Sequence, residues 1–133
     1  MILVDTSILI GYFKGLSGLP YDKLDEIIDN QIPFGINNHI YQEVLQGAKT
    51  EKEFNQLKEY LDVLPFYDLH NGRKSYENAA LMYVKCRKLG VTVRSTVDLI
   101  IAQTAIEHNL YLLHNDNDYT NIAKVIKELK LYK

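Results

Sequence analysis

Four carboxylates stand where this chain could concentrate chemistry. Asp5 ends the apolar run of MILVDTS, and two hydroxyls, Thr6 and Ser7, follow it. Asp98 opens the apolar stretch of RSTVDLIIAQTAIEHN, and Asp116 lies in HNDND after the run Leu110–His114, with Asp118 two residues on. Glu43, in HIYQEVLQG, shares a helical stripe with Ile40 and Gly47, so it is not on an obviously solvent-facing side. Carboxylates gathered in one pocket disfavour one another's ionised forms, and such a cluster needs a cation or shared protons. Oxygen-only ligands suit Mg2+ or Mn2+, and no Cys/His spacing suggests zinc. A hard cation held by a few carboxylates and waters can cleave phosphodiesters, because it polarises the phosphoryl oxygen and lowers the pKa of a bound water.

Each acid also has a plainer reading. Asp5 can cap the next helix. Ser95-x-x-Asp98 has the form of a capping box, in which Asp98 satisfies backbone N–H groups at the helix start, and the helix dipole favours an acid there. Glu43 taken alone reads as a surface residue. Capping does not explain why a second aspartate pair follows directly after the next strand.

The elements that must position these residues alternate along the chain. Met1–Val4 reads as a strand buried on both faces. Pro33–Ile36, Val63–Tyr67, Leu110–His114 and Leu131–Tyr132 are further strand candidates, with Pro65 making the third an edge or a short one. Helices are expected over Ile8–Phe13, Tyr21–Asp29, His39–Gly47, Glu51–Leu61, Asn71–Leu89, Ser95–Asn109 and Tyr119–Leu129. From Val97 to Ile106 only Asp98, Gln103 and Thr104 are polar, the pattern of a buried central helix. Alternating strands and helices predict an α/β fold, a mainly parallel sheet of about five strands with helices on both faces. In such sheets sites gather at the carboxyl ends of the strands. Asp5 and Asp116 fall at such ends, and a helix start such as Asp98 lies on the same edge.

At 133 residues, with 47% hydrophobic and 24% charged content, the chain is expected to form one domain over 1–133 with its own core. No apolar run approaches the roughly 18 residues of a membrane span. The start MILVD lacks a basic leader and a small-residue cleavage site, so no signal peptide is expected. One cysteine, Cys86, excludes an intrachain disulfide and points to a reducing cytoplasm, with Cys86 as a packing residue. The net charge of −2 hides an asymmetry: residues 1–72 carry 5 Lys+Arg against 11 Asp+Glu, and residues 73–133 carry 10 against 6. The basic share includes Arg73, Lys74, Lys85, Arg87, Lys88 and Arg94. Such a cluster is either a solvated helix face or an attractor for a polyanion.

Taken in order, MILVDTSILIGYF, Glu43 in its helix and RSTVDLIIAQTAIEHNLYLLHNDNDY resemble the PIN-domain ribonucleases, and within them the VapC-type toxins of prokaryotic toxin–antitoxin pairs. The resemblance covers essentially the whole chain. It implies a five-stranded parallel sheet flanked by helices and a metal-dependent endoribonuclease that cuts a structured RNA such as a tRNA or an rRNA loop. It further implies a homodimer, neutralised by a small cognate antitoxin. The family's acids fall on Asp5, Glu43, Asp98 and Asp116, which implies metal ligation by Asp5, Asp98 and Asp116. Glu43 would then bind through water or orient the attacking water, and Thr6 would help arrange the site. Two features depart from the pattern. His114 stands where many relatives have a threonine or another small polar residue. Asp116 and Asp118 both precede Tyr119, which takes the family's aromatic place; Asp116 is favoured as the inner acid and Asp118 as the outer.

An acidic pocket repels RNA, so a basic rim is needed. Arg94, four residues before Asp98, is the best candidate, with Arg87, Lys88 and Arg73 behind it. Ten tyrosines and four phenylalanines offer base-stacking positions without choosing among them. A haloacid-type phosphatase would want an aspartate where Ser7 stands. A response-regulator receiver fits the buried Asp98 helix poorly, although Asp68 could serve as its phosphoacceptor. A non-catalytic PIN-like module that binds RNA or protein, its acids serving only as caps, is the remaining alternative.

Overall fold

The computed structural model describes residues 1–133. In chain order the elements are β1 (Ile2–Val4), α1 (Thr6–Phe13), α2 (Leu19–Asp29), β2 (Phe34–Gly35), α3 (Asn38–Gln46), α4 (Glu51–Asp62), α5 (Arg73–Lys88), α6 (Thr96–Glu107), β3 (Tyr111–Leu113), α7 (Asn117–Val125) and β4 (Lys130–Leu131). The four strands form one sheet in the order β2-β1-β3-β4, every pair parallel. All three residues of β1 are buried, so both of its faces are covered by helices, as its unbroken apolar run requires. No helix is long and apolar enough to cross a membrane.

The sheet is therefore an all-parallel α/β sheet, as expected, with four strands where the sequence predicts about five. The strand expected over Val63–Tyr67 shrinks to a single parallel bridge between Ile36 and Phe66. Pro65 is the reason: it has no N–H to give a ladder. Its carbonyl still accepts from the Ile36 N–H at 3.1 Å, and the Tyr67 N–H donates to the Ile36 carbonyl at 2.7 Å. Gly35 lets this segment close in, since a Cβ there would lie 2.3 Å from the Pro65 carbonyl oxygen.

Two buried features fix the elements that carry the acids. In α6 every residue from Leu99 to Ala105 is buried, so its axis is locked in the core. Asn37, 1% exposed, caps α3 by accepting from the Ile40 N–H at 2.9 Å, and its amide donates to the Thr104 hydroxyl at 3.2 Å. The Thr104 hydroxyl in turn donates to the Ile100 carbonyl at 2.7 Å. This buried relay ties the start of α3, which carries Glu43, to α6, which carries Asp98. A buried amide and hydroxyl satisfied in this way hold one geometry, because breaking the relay would strand polar groups without water.

Candidate active site

Val4 pairs with Leu113, and the ladder continues one step further as the Asp5 N–H donates to the Leu113 carbonyl at 3.0 Å. Two chain segments thus leave the sheet side by side, one at Asp5 and the other at His114. Asp5 is 6% exposed and does cap α1. One of its oxygens, Oδ2, accepts from the Ser7 hydroxyl at 2.8 Å and the Ser7 N–H at 3.4 Å. Its other oxygen, Oδ1, lies 3.1 Å from the Tyr119 hydroxyl.

Asp98 does not make the reciprocal bond of a capping box. Ser95 caps α6 alone, accepting from the Val97 N–H at 3.2 Å. The Asp98 carboxylate turns instead toward the same Tyr119 hydroxyl, again at 3.1 Å. Tyr119 is fully buried, and its single proton serves two carboxylates. Across the pocket, oxygens of Asp98, Asp116 and Asp118 lie within 4.8 Å of one another. Desolvation pushes the Asp98 carboxyl up to about 6, the Tyr119 hydrogen bond opposes the rise, and the charges of Asp116, Asp5 and Asp118 add to it. Burial and the neighbouring carboxylates drive the Tyr119 hydroxyl far above its ordinary range, so it remains a donor.

The loop after β3 is held by its own side chains. Asp116 caps α7 by accepting from the Asp118 N–H at 2.9 Å. The Asp116 N–H donates to His114 Nδ1 at 3.1 Å, which makes that nitrogen an acceptor. Burial keeps His114 below its ordinary pKa, so it sits neutral against the Tyr119 ring, with ring centroids 5.2 Å apart. Glu43 joins from α3: the Thr6 hydroxyl donates to its Oε1 at 2.9 Å.

The structure brings all of the acids named above to one edge of the sheet. Asp118 is a full member of the three-carboxylate group, and at 6% exposure it is more buried than Asp116. Arg94 is the one basic side chain in ion-pair contact with them: its Nε lies 3.3 Å from Asp118 and its guanidinium 3.8 Å from Asp116. These carboxylates raise the Arg94 pKa. Arg73 and Lys88 stand at opposite ends of α5, about 22 Å apart along the axis, and so cannot share one rim. Sequence reasoning missed the Tyr119 hydroxyl as the link between Asp5 and Asp98; only its place after the acidic loop marked it. The Asn37 relay was also missed, although an asparagine before an apolar-striped helix is a capping signal.

The donor set tests which group the pocket suits. Three carboxylates, Asp98, Asp116 and Asp118, lie within 4.8 Å of one another, two of them paired with one arginine; all ligand atoms are oxygens, and the spacing is short enough for a small cation and its waters to bridge. The residues fit a hard divalent cation.

Fold and site define an α/β protein with an all-oxygen acidic pocket at the carboxyl edge of a parallel sheet. Residues 2–125 match the model of the PIN domain, and this chain belongs to the PIN-domain family. It is 29% identical over 126 residues to the VapC ribonuclease Mb1587 of Mycobacterium bovis and to ribonuclease VapC11 of Mycobacterium tuberculosis, covering 94% of this chain and 93% of each relative. Among solved structures it resembles VapBC2 from Rickettsia felis bound to a promoter DNA fragment, with a TM-score of 0.76, 21% identity and coverage of 99% and 98%. It also resembles FitAcB from Neisseria gonorrhoeae, with a TM-score of 0.70, 18% identity and coverage of 100% and 97%.

Proposed function

We propose that this chain is a Mg2+- or Mn2+-dependent endoribonuclease of the VapC toxin type, acting as one PIN domain in the cytoplasm. It cuts structured RNA of the tRNA or rRNA class to inhibit translation, works as a homodimer, and is neutralised by a cognate antitoxin. The observation that carries this reading is the direction of Asp98. Its carboxylate leaves the cap of α6 to Ser95 alone and joins Asp116 and Asp118 in a like-charged group. A purely structural acid would not be held in so repulsive a setting. The similarity to VapC ribonucleases over nearly the whole chain supports the same conclusion.

Asp98 and Asp116 would hold the cation directly, with Asp5 completing the set from across Tyr119 and Asp118 flanking it. The cation supplies charge stabilisation at the phosphoryl oxygen and acidifies a water. Ser7 and Tyr119 fix the two oxygens of Asp5. Thr6 fixes one oxygen of Glu43 and leaves the other to orient a water. Arg94 would exchange its carboxylate partners for an RNA phosphate.

The test is cleavage of total cellular RNA by the purified protein with Mg2+, Mn2+ or EDTA, beside Asp5→Asn and Asp98→Asn. Discrete fragments that need metal and vanish in both variants are expected. Equal cleavage by the variants would move the activity elsewhere. The Arg94–Asp118 pair favours a second reading, a non-catalytic PIN-like RNA- or protein-binding module whose acids are neutralised internally. Metal-independent RNA binding without cleavage would establish it.

A further inference from the structure

Beside the acidic pocket, between α5 and the start of α6, lies a cavity of about 530 Å3. Tyr83, Arg87, Val93, Arg94, Thr96 and Leu99 line it, and no carboxylate does. Tyr83 and Arg87 sit one helical turn apart on α5, with the guanidinium carbon 5.4 Å from the ring centroid. A cation over an aromatic face steadies the ring and keeps a positive charge beside it. Val93 and Leu99 are 5% and 6% exposed and give the floor an apolar surface. The other wall is Arg94, whose far side touches Asp118 and Asp116 at 3.3 and 3.8 Å. The cavity and the acidic group therefore share one arginine as a partition.

This arrangement is specific in its chemistry. An aromatic platform, an apolar floor and two arginines without a carboxylate suit a flat, polar-edged ring attached to a phosphate. They do not suit a basic peptide, which the arginines would repel, or a plain lipid chain, which would leave both charges unused. The volume lies within the range of small-molecule sites, roughly 300–1,000 Å3, enough for one nucleotide.

We propose that the Tyr83–Arg87–Arg94 cavity is a nucleotide subsite, which takes an unpaired RNA base next to the phosphate presented to the acidic pocket. The base stacks on Tyr83, Arg87 and Arg94 hold its flanking phosphates, and Thr96 offers a hydroxyl to the base edge. This rests on the ribonuclease reading above and adds to it a position at which the enzyme reads single-stranded RNA. Base stacking on one aromatic residue accounts for roughly a ten-fold gain in affinity.

The experiment uses the full chain in EDTA, so that binding is read without cleavage. The probe is a short single-stranded RNA carrying 5-iodouridine, and the readouts are its dissociation constant and the residue that photo-crosslinks to it. The crosslink is expected on Tyr83. Affinity should fall about ten-fold in Tyr83→Leu and stay near the parent value in Tyr83→Phe. Arg87→Gln should weaken binding and flatten its salt dependence. Variants that bind as the parent does, with crosslinks elsewhere, would overturn the subsite while leaving the ribonuclease reading intact. Absence of RNA binding by the parent in EDTA would overturn the subsite, and the ribonuclease reading would fall with it only if the metal-loaded parent also left total RNA uncut. Sedimentation of the same variants gives the last arm: a dimer that becomes monomeric in Tyr83→Leu and Arg87→Gln would assign the face to contact between copies and overturn the subsite.

Discussion

The Tyr119 hydroxyl oxygen lies 3.1 Å from an Asp98 oxygen and the same distance from an Asp5 oxygen, although it has one proton to give. One bond is a donation at any instant. The second stays favourable only when the other carboxyl carries a proton or a cation draws its charge away. Tyr119→Phe removes the shared donor and leaves the ring in place. The expected result is a loss of about 1–3 kcal/mol in stability at neutral pH and weaker Mn2+ binding by calorimetric titration. Unchanged metal affinity would show that Tyr119 only packs.

Asp98→Ala separates a ligand from a cap. Loss of a cap costs about 1 kcal/mol. Here Ser95 caps α6 by itself, and removing Asp98 relieves repulsion from Asp116 and Asp118. Thermal melting should therefore show stability equal to or above that of the parent, while RNA cleavage disappears. A clear drop in melting temperature with cleavage retained would reverse the assignment.

The pH dependence has a defined sign. The Asp98 carboxyl is pushed up to about 6 in the fold, against roughly 3.9 in an unfolded chain. Between those values the folded chain keeps a proton that the unfolded chain has released. The contribution of this group to stability is present below roughly pH 4 and is lost as pH rises through about 6. Half exposure reduces the size to about 1 kcal/mol. Denaturant melts of the metal-free protein at several pH values, with Asp98→Asn as control, should show the difference. Protons and cation compete for this carboxylate, so apparent Mn2+ affinity should fall below about pH 6.

Thr6→Val keeps the shape of the side chain and deletes the hydroxyl that donates to Glu43. If Glu43 orients a water, kcat for RNA cleavage should drop about 10- to 100-fold with KM little changed. Thr6→Ser should restore most of the rate. A rise in KM alone would place Thr6 in substrate binding.

Arg94→Gln should act in two directions at once. Without the guanidinium, Asp116 and Asp118 lose their internal counter-ion, and Mn2+ should bind more tightly. RNA should bind more weakly, because a phosphate partner is gone. Parallel metal and RNA titrations read the two effects separately. A fall in both would mean that Arg94 mainly holds the acidic loop in shape.

The placement of Asp5, Asp98 and Asp116 was legible because it depends on topology. Ends of parallel strands and starts of the helices that precede them share one edge whatever the side chains do. The order β2-β1-β3-β4 makes this concrete, with β1 and β3 adjacent at the centre. What was not legible depends on side-chain direction. No spacing rule brings residue 119 back between residues 5 and 98, or an asparagine before α3 onto a threonine in α6. Ser95-x-x-Asp98 read as a capping box because the motif is local, and the pocket outcompeted it. The strand expected over Val63–Tyr67 failed at one atom, the missing N–H of Pro65, which leaves a bridge in place of a ladder. Arg94 was expected at an RNA-facing rim, and in the fold it is already engaged with two carboxylates.

The central position of β1 has a temporal consequence. Asp5 meets Tyr119 across 114 residues of chain. Loops that long close late in folding, after local helices have formed. On the ribosome, residues 1–5 therefore emerge early and wait, and their strand has only β2 as a neighbour until β3 is made. The pocket cannot exist in a nascent fragment that stops short of α7, because its bridging hydroxyl has not yet been synthesised. A translating ribosome is thus separated from the finished acidic centre by the 114 residues between Asp5 and Tyr119.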